Sequence, residues 1–201
     1  MMKMNEKIIL ASSSKIRQEL FRNVGIPFIS DPSNIDENSI KKSLQKEKKS
    51  HEDIVQILSD YKGLNKVNMW PNNLIVSCDQ ILSFEGNILS KPNNLQMAVE
   101  NLKNLNDSKH YLLTASTIIE NKNIVWRHLS KSEMFMRKLN DNQILNYIEE
   151  VGLSCTESVG GYMIEKEGLK LFNKIKGDYF SILGMPLIEI LNFLYQKKII
   201  E

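Results

Sequence analysis

The stretch that decides the fold is Leu74-Ile75-Val76-Ser77-Cys78, which is followed at once by Asp79 and Gln80. Its nearly unbroken apolar character predicts a short strand that is buried on both faces of a sheet. Asp79 would then stand where that strand ends, at the edge of the sheet where α/β proteins hold their ligands. An Asp there is equally typical of a turn, so position alone leaves Asp79 open between a turn residue and a catalyst.

Strands and helices are predicted to alternate along the rest of the chain. A short apolar run leads into Ser12, Ser13 and Ser14, which predicts a strand, a serine turn and a helix that Gly25 ends. Further strands are predicted at 28–30, 81–84, 111–120 and 123–136, and further helices at 51–67, 141–151 and about 186–198. Another helix is predicted after Pro92, through Met97, Leu102 and Leu105. The helix at 51–67 is expected to present one apolar side, made of Ile54, Ile57, Leu58, Tyr61 and Leu64. This alternation is typical of an α/β fold.

Composition argues against several classes of protein. The chain has 26 basic and 24 acidic residues, and a net charge of +2 argues against a dedicated binder of nucleic-acid polymers. No apolar run approaches the ~20 residues that span a bilayer, and residues 1–10 lack a signal-peptide core. A cytoplasmic protein without a membrane partner is expected. Its two cysteines, Cys78 and Cys155, are expected to be reduced and packed.

Polar side chains that could support chemistry are few. Glu37, Asp79 and Lys91 are predicted to lie where strands end. The serine turn, with Arg17 one helical turn further on, offers hydroxyls, backbone N–H groups and a guanidinium to an anion. A plain serine cap of the helix explains the same residues, and the Gly-Lys-Ser/Thr ending of a Walker loop is missing. The histidines lack metal-ligand spacing and are expected to have no chemical role: His51, His110 and His128.

Short motifs follow one another in a fixed order from residue 10 to residue 187. They are Leu10–Arg17 (Leu-Ala-Ser-x-Ser-x-x-Arg), Asp36-Glu37, Lys62, Ser77–Gln80, Gly86–Pro92 (Gly-x-x-x-x-Lys-Pro), Met136–Leu139, Gly160–Glu165 and Gly177–Leu187. In order and spacing these motifs resemble those of the Maf family of nucleotide pyrophosphatases. The resemblance covers nearly the whole chain.

The resemblance implies a fold and a reaction. The fold is an elongated, two-lobed α/β structure with a mixed sheet and a central cleft, related to the inosine-triphosphate pyrophosphatases. Residues 1–201 would form a single domain of two lobes, and a homodimer is compatible with it. The reaction is hydrolysis of the bond between the α and β phosphates of a nucleoside triphosphate, which gives the monophosphate and diphosphate. The opening motif disfavours a close inosine-triphosphatase relative.

Site residues follow from the motifs position by position. The resemblance makes Asp79 the general base that activates water, and places Glu37 beside it to hold Mg²⁺ or Mn²⁺. Lys62 and Lys91 are implied as catalytic cations, which suits a reaction that develops negative charge on its leaving group. Contacts to the triphosphate are implied for Ser12, Ser14 and Arg17.

The same resemblance bears on the nucleotide base. Gln80 and Glu165 form the pair that accompanies 7-methyl-GTP in the family, whereas Thr and Gln accompany dTTP and UTP. The Glu165 carboxylate can accept hydrogen bonds from guanine N1–H and N2–H₂, which a pyrimidine does not offer in that pattern. Ile16 is counted with the substrate-binding residues and stands where that subgroup has a Trp, so it gives apolar contact without an aromatic face. The sequence therefore predicts a non-standard or methylated guanine nucleotide.

Two alternatives stay open beside this prediction. One is a dTTP/UTP pyrophosphatase. The other is a nucleotide-binding regulator of cell division or septum formation that needs no turnover. The intact set of Asp79, Glu37, Lys62 and Lys91 favours an enzyme, because a protein that only binds has no need of a water-activating carboxylate.

Overall fold

A computed structural model describes residues 7–201 of the chain. Residues 1–6 lie outside the described residues. They make up most of the segment for which the absence of a signal peptide is predicted. In chain order the elements are β1 (Ile8–Leu10), α1 (Lys15–Asn23), β2 (Phe28–Ser30), α2 (Glu37–Lys46), α3 (His51–Leu64), β3 (Leu74–Phe84), β4 (Asn87–Leu89), α4 (Leu95–Leu105), β5 (Lys109–Glu120), β6 (Asn123–Met136), α5 (Asp141–Val151), β7 (Phe172–Lys176), α6 (Tyr179–Ile182) and α7 (Leu187–Gln196). Between α5 and β7 lie three short 3₁₀ helices, Gly152–Glu157, Val159–Gly161 and Glu167–Leu171.

The strands form one mixed sheet in the order β2-β1-β3-β5-β6-β7, and β4 pairs with β3. β1 is parallel to both β2 and β3, whereas β4 is antiparallel to β3 and β7 is antiparallel to β6. The sheet and its helices confirm the α/β class. Within residues 7–201, no helix is both long enough and apolar enough to cross a membrane.

Most predicted elements are confirmed, and the extent of β3 is the main correction. The prediction that the strand ends before Asp79 was wrong, because β3 continues to Phe84 and Asp79 lies inside it. The ladder continues because Ile81 and Leu82 are buried as well, and because β4 pairs with the last three residues of β3. Glu37 was also misplaced, since it opens α2 instead of ending a strand.

The chain divides into two compact units, which are described separately. Unit 1 comprises Met1–Asp79, Thr114–Ser130 and Tyr179–Glu201, and unit 2 comprises Gln80–Leu113 and Lys131–Asp178. In unit 1, β1 is buried on both faces, and its alternate side chains enter two separate apolar clusters. Ile8 and Leu10 pack with Phe21 of α1 and Leu194 of α7. Burying a side chain of this size contributes about 1.5–3 kcal/mol, so the start of α1 is held firmly against the sheet.

Unit 2 contains a buried aromatic cluster around His110. The His110 ring is 0% exposed, and its Nε2 lies 2.7 Å from the Tyr162 hydroxyl. The ring centroids of Tyr162 and Phe172 lie 5.6 and 5.9 Å from that of His110. His110 Nδ1 is buried and has no hydrogen-bond partner among the described residues. Burial lowers the pKa of His110 to about 4, so the folded chain holds this ring neutral.

Acid is expected to destabilise the fold through His110. Its pKa is lowered in the folded state, so between the ordinary value of 6.5 and about 4 only the unfolded chain takes up this proton. Lowering the pH from about 7.5 to about 5 should therefore reduce the free energy of unfolding of the wild type by roughly 2 kcal/mol through His110. A variant with a non-titrating residue at this position should not show this part of the loss. Urea unfolding of wild type and His110→Gln at both pH values tests this. Equal acid losses in the two proteins would contradict it.

Candidate active site

A cluster of one cation and two carboxylates lies in unit 1. Lys62 Nζ donates a hydrogen bond to Asp79 Oδ1 and lies 3.0 Å from Glu37 Oε1. The side chains of Lys62 and Asp79 are 11% and 5% exposed, whereas that of Glu37 is 43% exposed. One ammonium group thus faces two carboxylates, and only the Glu37 carboxylate lies near solvent. The structure brings together three of the residues predicted for the site.

Three different elements supply these side chains. Asp79 stands in the middle of β3, and Lys62 lies on the last full turn of α3. Glu37 is the first residue of α2, where Asp36 caps the helix by accepting a hydrogen bond of 3.0 Å from the Ser39 N–H. A carboxylate in the first turn is also favoured by the helix dipole.

The position of Lys62 depends on a close approach of α3 to β3. A Cβ on Gly63 would lie 2.7 Å from Ser77 Oγ and 2.8 Å from Ile119 Cδ1, so any larger residue would require these two side chains to move. Ser77 Oγ donates to the Ser59 carbonyl at 2.8 Å, and Ser59 Oγ donates to the Ser77 carbonyl at 3.2 Å. These reciprocal bonds fix the buried side of the helix against the strand that carries Asp79.

The buried side of α3 differs from the predicted one. Ile54 and Leu58 are buried as expected, but Tyr61 and Leu64 are 47% and 36% exposed. The residues that complete the buried side are Val55, Ser59, Lys62 and Gly63. The spacing of apolar residues predicts that a lysine on a helix faces solvent. Here the Lys62 ammonium group is buried, because two carboxylates stabilise its charge.

A second lysine–carboxylate pair, which was not predicted, anchors the end of α3. Lys66 Nζ lies 2.8 Å from Asp31 Oδ1, and Trp70 Nε1 donates to Asp31 Oδ2 at 2.7 Å. Hydrogen bonds from Lys66 and Trp70 hold the pKa of Asp31 below its ordinary value. Lys66 is 6% exposed and follows Lys62 by four residues, and this spacing is the sequence signal that could have revealed it.

The carboxylates differ in their surroundings. Burial alone would raise the pKa of Glu37, but the charge and hydrogen bond of Lys62, with smaller effects of Lys41 and Arg17, bring it below its ordinary value of 4.5. Asp79 Oδ2 is buried and accepts no hydrogen bond from any described residue. A buried carboxylate oxygen without a donor is unusual in a folded protein and needs an explanation.

Arg17 connects the serine turn to β3. Its Nη1 donates to the Cys78 carbonyl at 2.8 Å and to Ser12 Oγ at 3.3 Å, and its Nε donates to the Gly184 carbonyl at 2.7 Å. Ser14 occupies the N-cap position of α1, but its side chain makes no capping bond. A serine thus occupies the cap position as predicted but does not make the capping contact, and the Ser14 N–H donates to Ser12 Oγ at 3.3 Å.

Four further residues were predicted for the site, and they belong to both units. Ile16 is half-buried in the first turn of α1, in unit 1. Gln80 is the half-buried neighbour of Asp79 in β3, and the chain passes from unit 1 to unit 2 between these two residues. In unit 2, Lys91 is exposed beyond β4, and Glu165 is half-buried ahead of the third 3₁₀ helix. The roles predicted for these residues stay predictions.

The donor set can be tested against a divalent metal ion. Among residues 7–201 no group of three or more His, Cys, Asp or Glu side chains is arranged to hold a metal. Glu37 and Asp79 offer only carboxylate oxygens, which are the ligands that Mg²⁺ and Mn²⁺ prefer. Asp79 Oδ2 is unpaired and so has a lone pair to give. The two residues therefore fit a hard cation that completes its shell with water and phosphate oxygens.

Comparison with known proteins gives a matching family model, full-length relatives and one solved structure that matches in part. The family model described as "Maf-like protein" matches residues 7–197. A Ruegeria pomeroyi protein named nucleoside triphosphate pyrophosphatase is 39% identical over 198 residues, which is 98% of this chain and 100% of the relative. A Brucella abortus protein named 7-methyl-GTP pyrophosphatase is 36% identical, also over 98% of this chain and 100% of the relative. A solved HAM1 protein of Coxiella burnetii matches 65% of this chain and 73% of its own at 16% identity and a TM-score of 0.43.

Proposed function

The chain belongs to the Maf family, and from this premise we propose that it hydrolyses nucleoside triphosphates to the monophosphate and pyrophosphate. Full-length relatives that bear the name of this activity support the proposal. The observation that carries it for this chain is Asp79 Oδ2, a buried carboxylate oxygen without a partner, on a residue whose other oxygen is held by Lys62. A structural carboxylate would have both oxygens satisfied, whereas a general base needs one free to accept a proton.

The proposed chemical step begins at this oxygen. Asp79 Oδ2 accepts a proton from a water molecule while the water oxygen forms a bond to the α phosphorus. The bond between the α phosphorus and the bridging oxygen breaks, and its electron pair leaves with pyrophosphate. Lys62, held on Oδ1, fixes the carboxylate so that Oδ2 keeps its orientation.

Cations supply most of the remaining stabilisation in this proposal. Phosphoryl transfer requires little covalent work by the protein, so positioned positive charge is the main contribution. Arg17 and Lys62 are the two cations of unit 1 that the family motifs assign to the reaction, and Ser12 and Ser14 would add hydroxyl contacts to the triphosphate. Lys91 of unit 2 is proposed as a further contact on the strength of its place in the family motif.

Glu37 and Asp79 are proposed as the residues that hold Mg²⁺ or Mn²⁺. Such an ion, when bound, would neutralise charge on the phosphate oxygens. Glu37 suits the role because its pKa is lowered, so it is ionised throughout the neutral range. Its side chain is also the more exposed of the two, which allows exchange with solvent.

A guanine nucleotide such as 7-methyl-GTP is the proposed substrate. The support is the pair Gln80 and Glu165, together with relatives from Brucella that are named 7-methyl-GTP pyrophosphatase. Glu165 would accept from the N1–H and N2–H₂ of the guanine edge. Ile16 would contact the base through its apolar side chain.

A panel of nucleoside triphosphates tests the proposed function. Pure protein is incubated with Mg²⁺ or Mn²⁺ and with GTP, 7-methyl-GTP, dTTP or UTP, and pyrophosphate and monophosphate are measured together. Equal amounts of both products, fastest with 7-methyl-GTP, are expected. Preference for dTTP or UTP would leave the reaction intact and overturn the guanine assignment. Tight binding without any product would show a nucleotide-binding regulator instead.

Glu165→Gln is expected to change the preference for the base. The amide keeps the size of the side chain but replaces one acceptor oxygen with a donor, which cannot pair with guanine N1–H and N2–H₂ together. Loss of one such pair should lower kcat/KM for 7-methyl-GTP about 10-fold to 100-fold and affect UTP far less. Glu167→Gln, two residues further along, is the matched control. A larger loss for UTP than for 7-methyl-GTP would contradict the proposed pocket.

A further inference from the structure

We propose that Gly184 is a positioning residue, whose carbonyl orients the Arg17 guanidinium toward the triphosphate. The proposal rests on the proposed function, because it assigns Arg17 to the substrate of that reaction. Gly184 lies 167 residues from Arg17 in the sequence, in the connection between α6 and α7. It would act only through Arg17 and touch no substrate itself.

The protein holds two of the three guanidinium nitrogens of Arg17. Nε donates to the Gly184 carbonyl at 2.7 Å, and Nη1 donates to the Cys78 carbonyl at 2.8 Å and to Ser12 Oγ at 3.3 Å. No described residue accepts a hydrogen bond from Nη2. Two fixed nitrogens in a planar group determine where the third points. Arg17 is therefore a preoriented donor with Nη2 left for an anion.

The Gly184 carbonyl is itself rigidly placed. The residue is buried and has φ of +96°, a conformation that favours glycine. Its N–H donates to the Ser181 carbonyl at 2.9 Å, and this carbonyl also accepts from Thr114 Oγ1 at 2.8 Å. The next residue, Met185, is fully buried in the apolar core of unit 1. The turn cannot shift without disturbing that core.

The lack of a side chain at position 184 matters to Arg17 directly. A Cβ there would lie 3.1 Å from Arg17 Nη2 and 3.2 Å from Nε, which is tighter than ordinary contact. A methyl group at this position would therefore clash with Nη2, which no described residue holds, and with Nε, which donates to the Gly184 carbonyl. Displacing a substrate-positioning group by about 1 Å can cost about 100-fold in rate.

The experiment is a double-mutant cycle of Gly184→Ala and Arg17→Met, measured as kcat/KM for the best nucleotide of the panel. Each single variant is expected to lose about 10-fold to 100-fold, mostly through KM. If Gly184 acts through Arg17, adding Gly184→Ala to Arg17→Met should cost little more. Losses that multiply in the double variant would overturn the proposal. Gly25→Ala is the matched control, because Gly25 also has a positive φ, lies just beyond the end of α1, which carries Arg17, and has no atom within 4 Å of the Cβ that alanine would add.

Two further measurements cover other outcomes. Thr114→Val removes the hydroxyl that holds the Ser181 carbonyl but keeps side-chain shape, so it is available if Gly184→Ala does not fold. It should raise KM several-fold in wild type and leave Arg17→Met unchanged, and any other result counts against the proposal. The ¹⁵N signal of Arg17 Nε–H, identified by its loss in Arg17→Met, should shift in Gly184→Ala and stay in place in Gly25→Ala. This signal can be measured without turnover, so an unshifted signal in Gly184→Ala would refute the positioning role. A wild-type protein that releases no pyrophosphate would refute only the proposed function.

Discussion

Replacing Asp79 by Asn is expected to abolish pyrophosphate release while the fold and nucleotide binding persist. Removal of a general base costs about 10²–10⁴-fold in rate, and loss of a metal-holding oxygen would add to this. Asn keeps an acceptor oxygen for Lys62, so the hydrogen bond that anchors the side chain can survive. The nitrogen that replaces Oδ2 cannot accept a proton from water. The measurement is kcat by pyrophosphate release, with triphosphate affinity by calorimetry.

Asp31→Asn is the matched control for this prediction. Asp31 also pairs with a buried lysine, Lys66, just beyond the end of α3, and the substitution removes the same charge from a pair whose lysine follows Lys62 by four residues. Its Oδ2 is already satisfied by Trp70, so no catalytic role is expected. The control should lose stability and keep its kcat. If Asp79→Asn retained wild-type kcat, Asp79 would not be the base.

The sequence could predict those elements of the fold whose limits depend on local signals. Strand β2 and helix α5 were predicted with their observed limits, because caps, breakers and apolar spacing are local signals. The length of β3 could not be read in this way. A carboxylate inside an apolar run is normally a sign that the strand has ended, and only the ammonium group of Lys62 makes Asp79 tolerable within it.

For the candidate site, the sequence could predict which residues take part but not the contacts between residues that are distant in the chain. Motif resemblance pointed to Ser12, Arg17, Glu37, Lys62 and Asp79, and the structure places all five in unit 1. It did not reveal that Lys62 faces both carboxylates, or that Arg17 is held by residues 61 and 167 positions away. These contacts depend on how α3 and the α6–α7 connection pack, and no periodicity within one segment encodes that packing.

Lys62→Met is the second change with a large expected effect, and it should act on stability as well as on rate. The substitution keeps an unbranched side chain of similar length and removes the charge. Asp79, 5% exposed, would then be a buried carboxylate without a cation, and breaking such a pair costs about 3–5 kcal/mol. Without the cation that holds the carboxylate, kcat should also fall about 10²–10³-fold. Urea unfolding and pyrophosphate release measure the two losses.

A cycle with Asp79→Asn tests the effect of Lys62 on stability. In the double variant no buried charge is left uncompensated, so most of the stability lost in Lys62→Met should return, while turnover should stay absent. The pKa of Glu37 should rise in Lys62→Met, because burial then acts without the opposing charge that lowers it. A ¹³C titration of the Glu37 carboxyl measures this direction directly.

Lys66→Met is the control that makes the result specific to the site. It breaks the pair with Asp31 just beyond the end of α3, and should destabilise the protein without lowering kcat to the same degree. Equal losses of kcat in both variants would mean that Lys62 only supports the helix. A loss of kcat confined to Lys62→Met would instead mean that the ammonium group serves the reaction, because Lys66→Met removes a buried ammonium group of the same kind and leaves turnover in place.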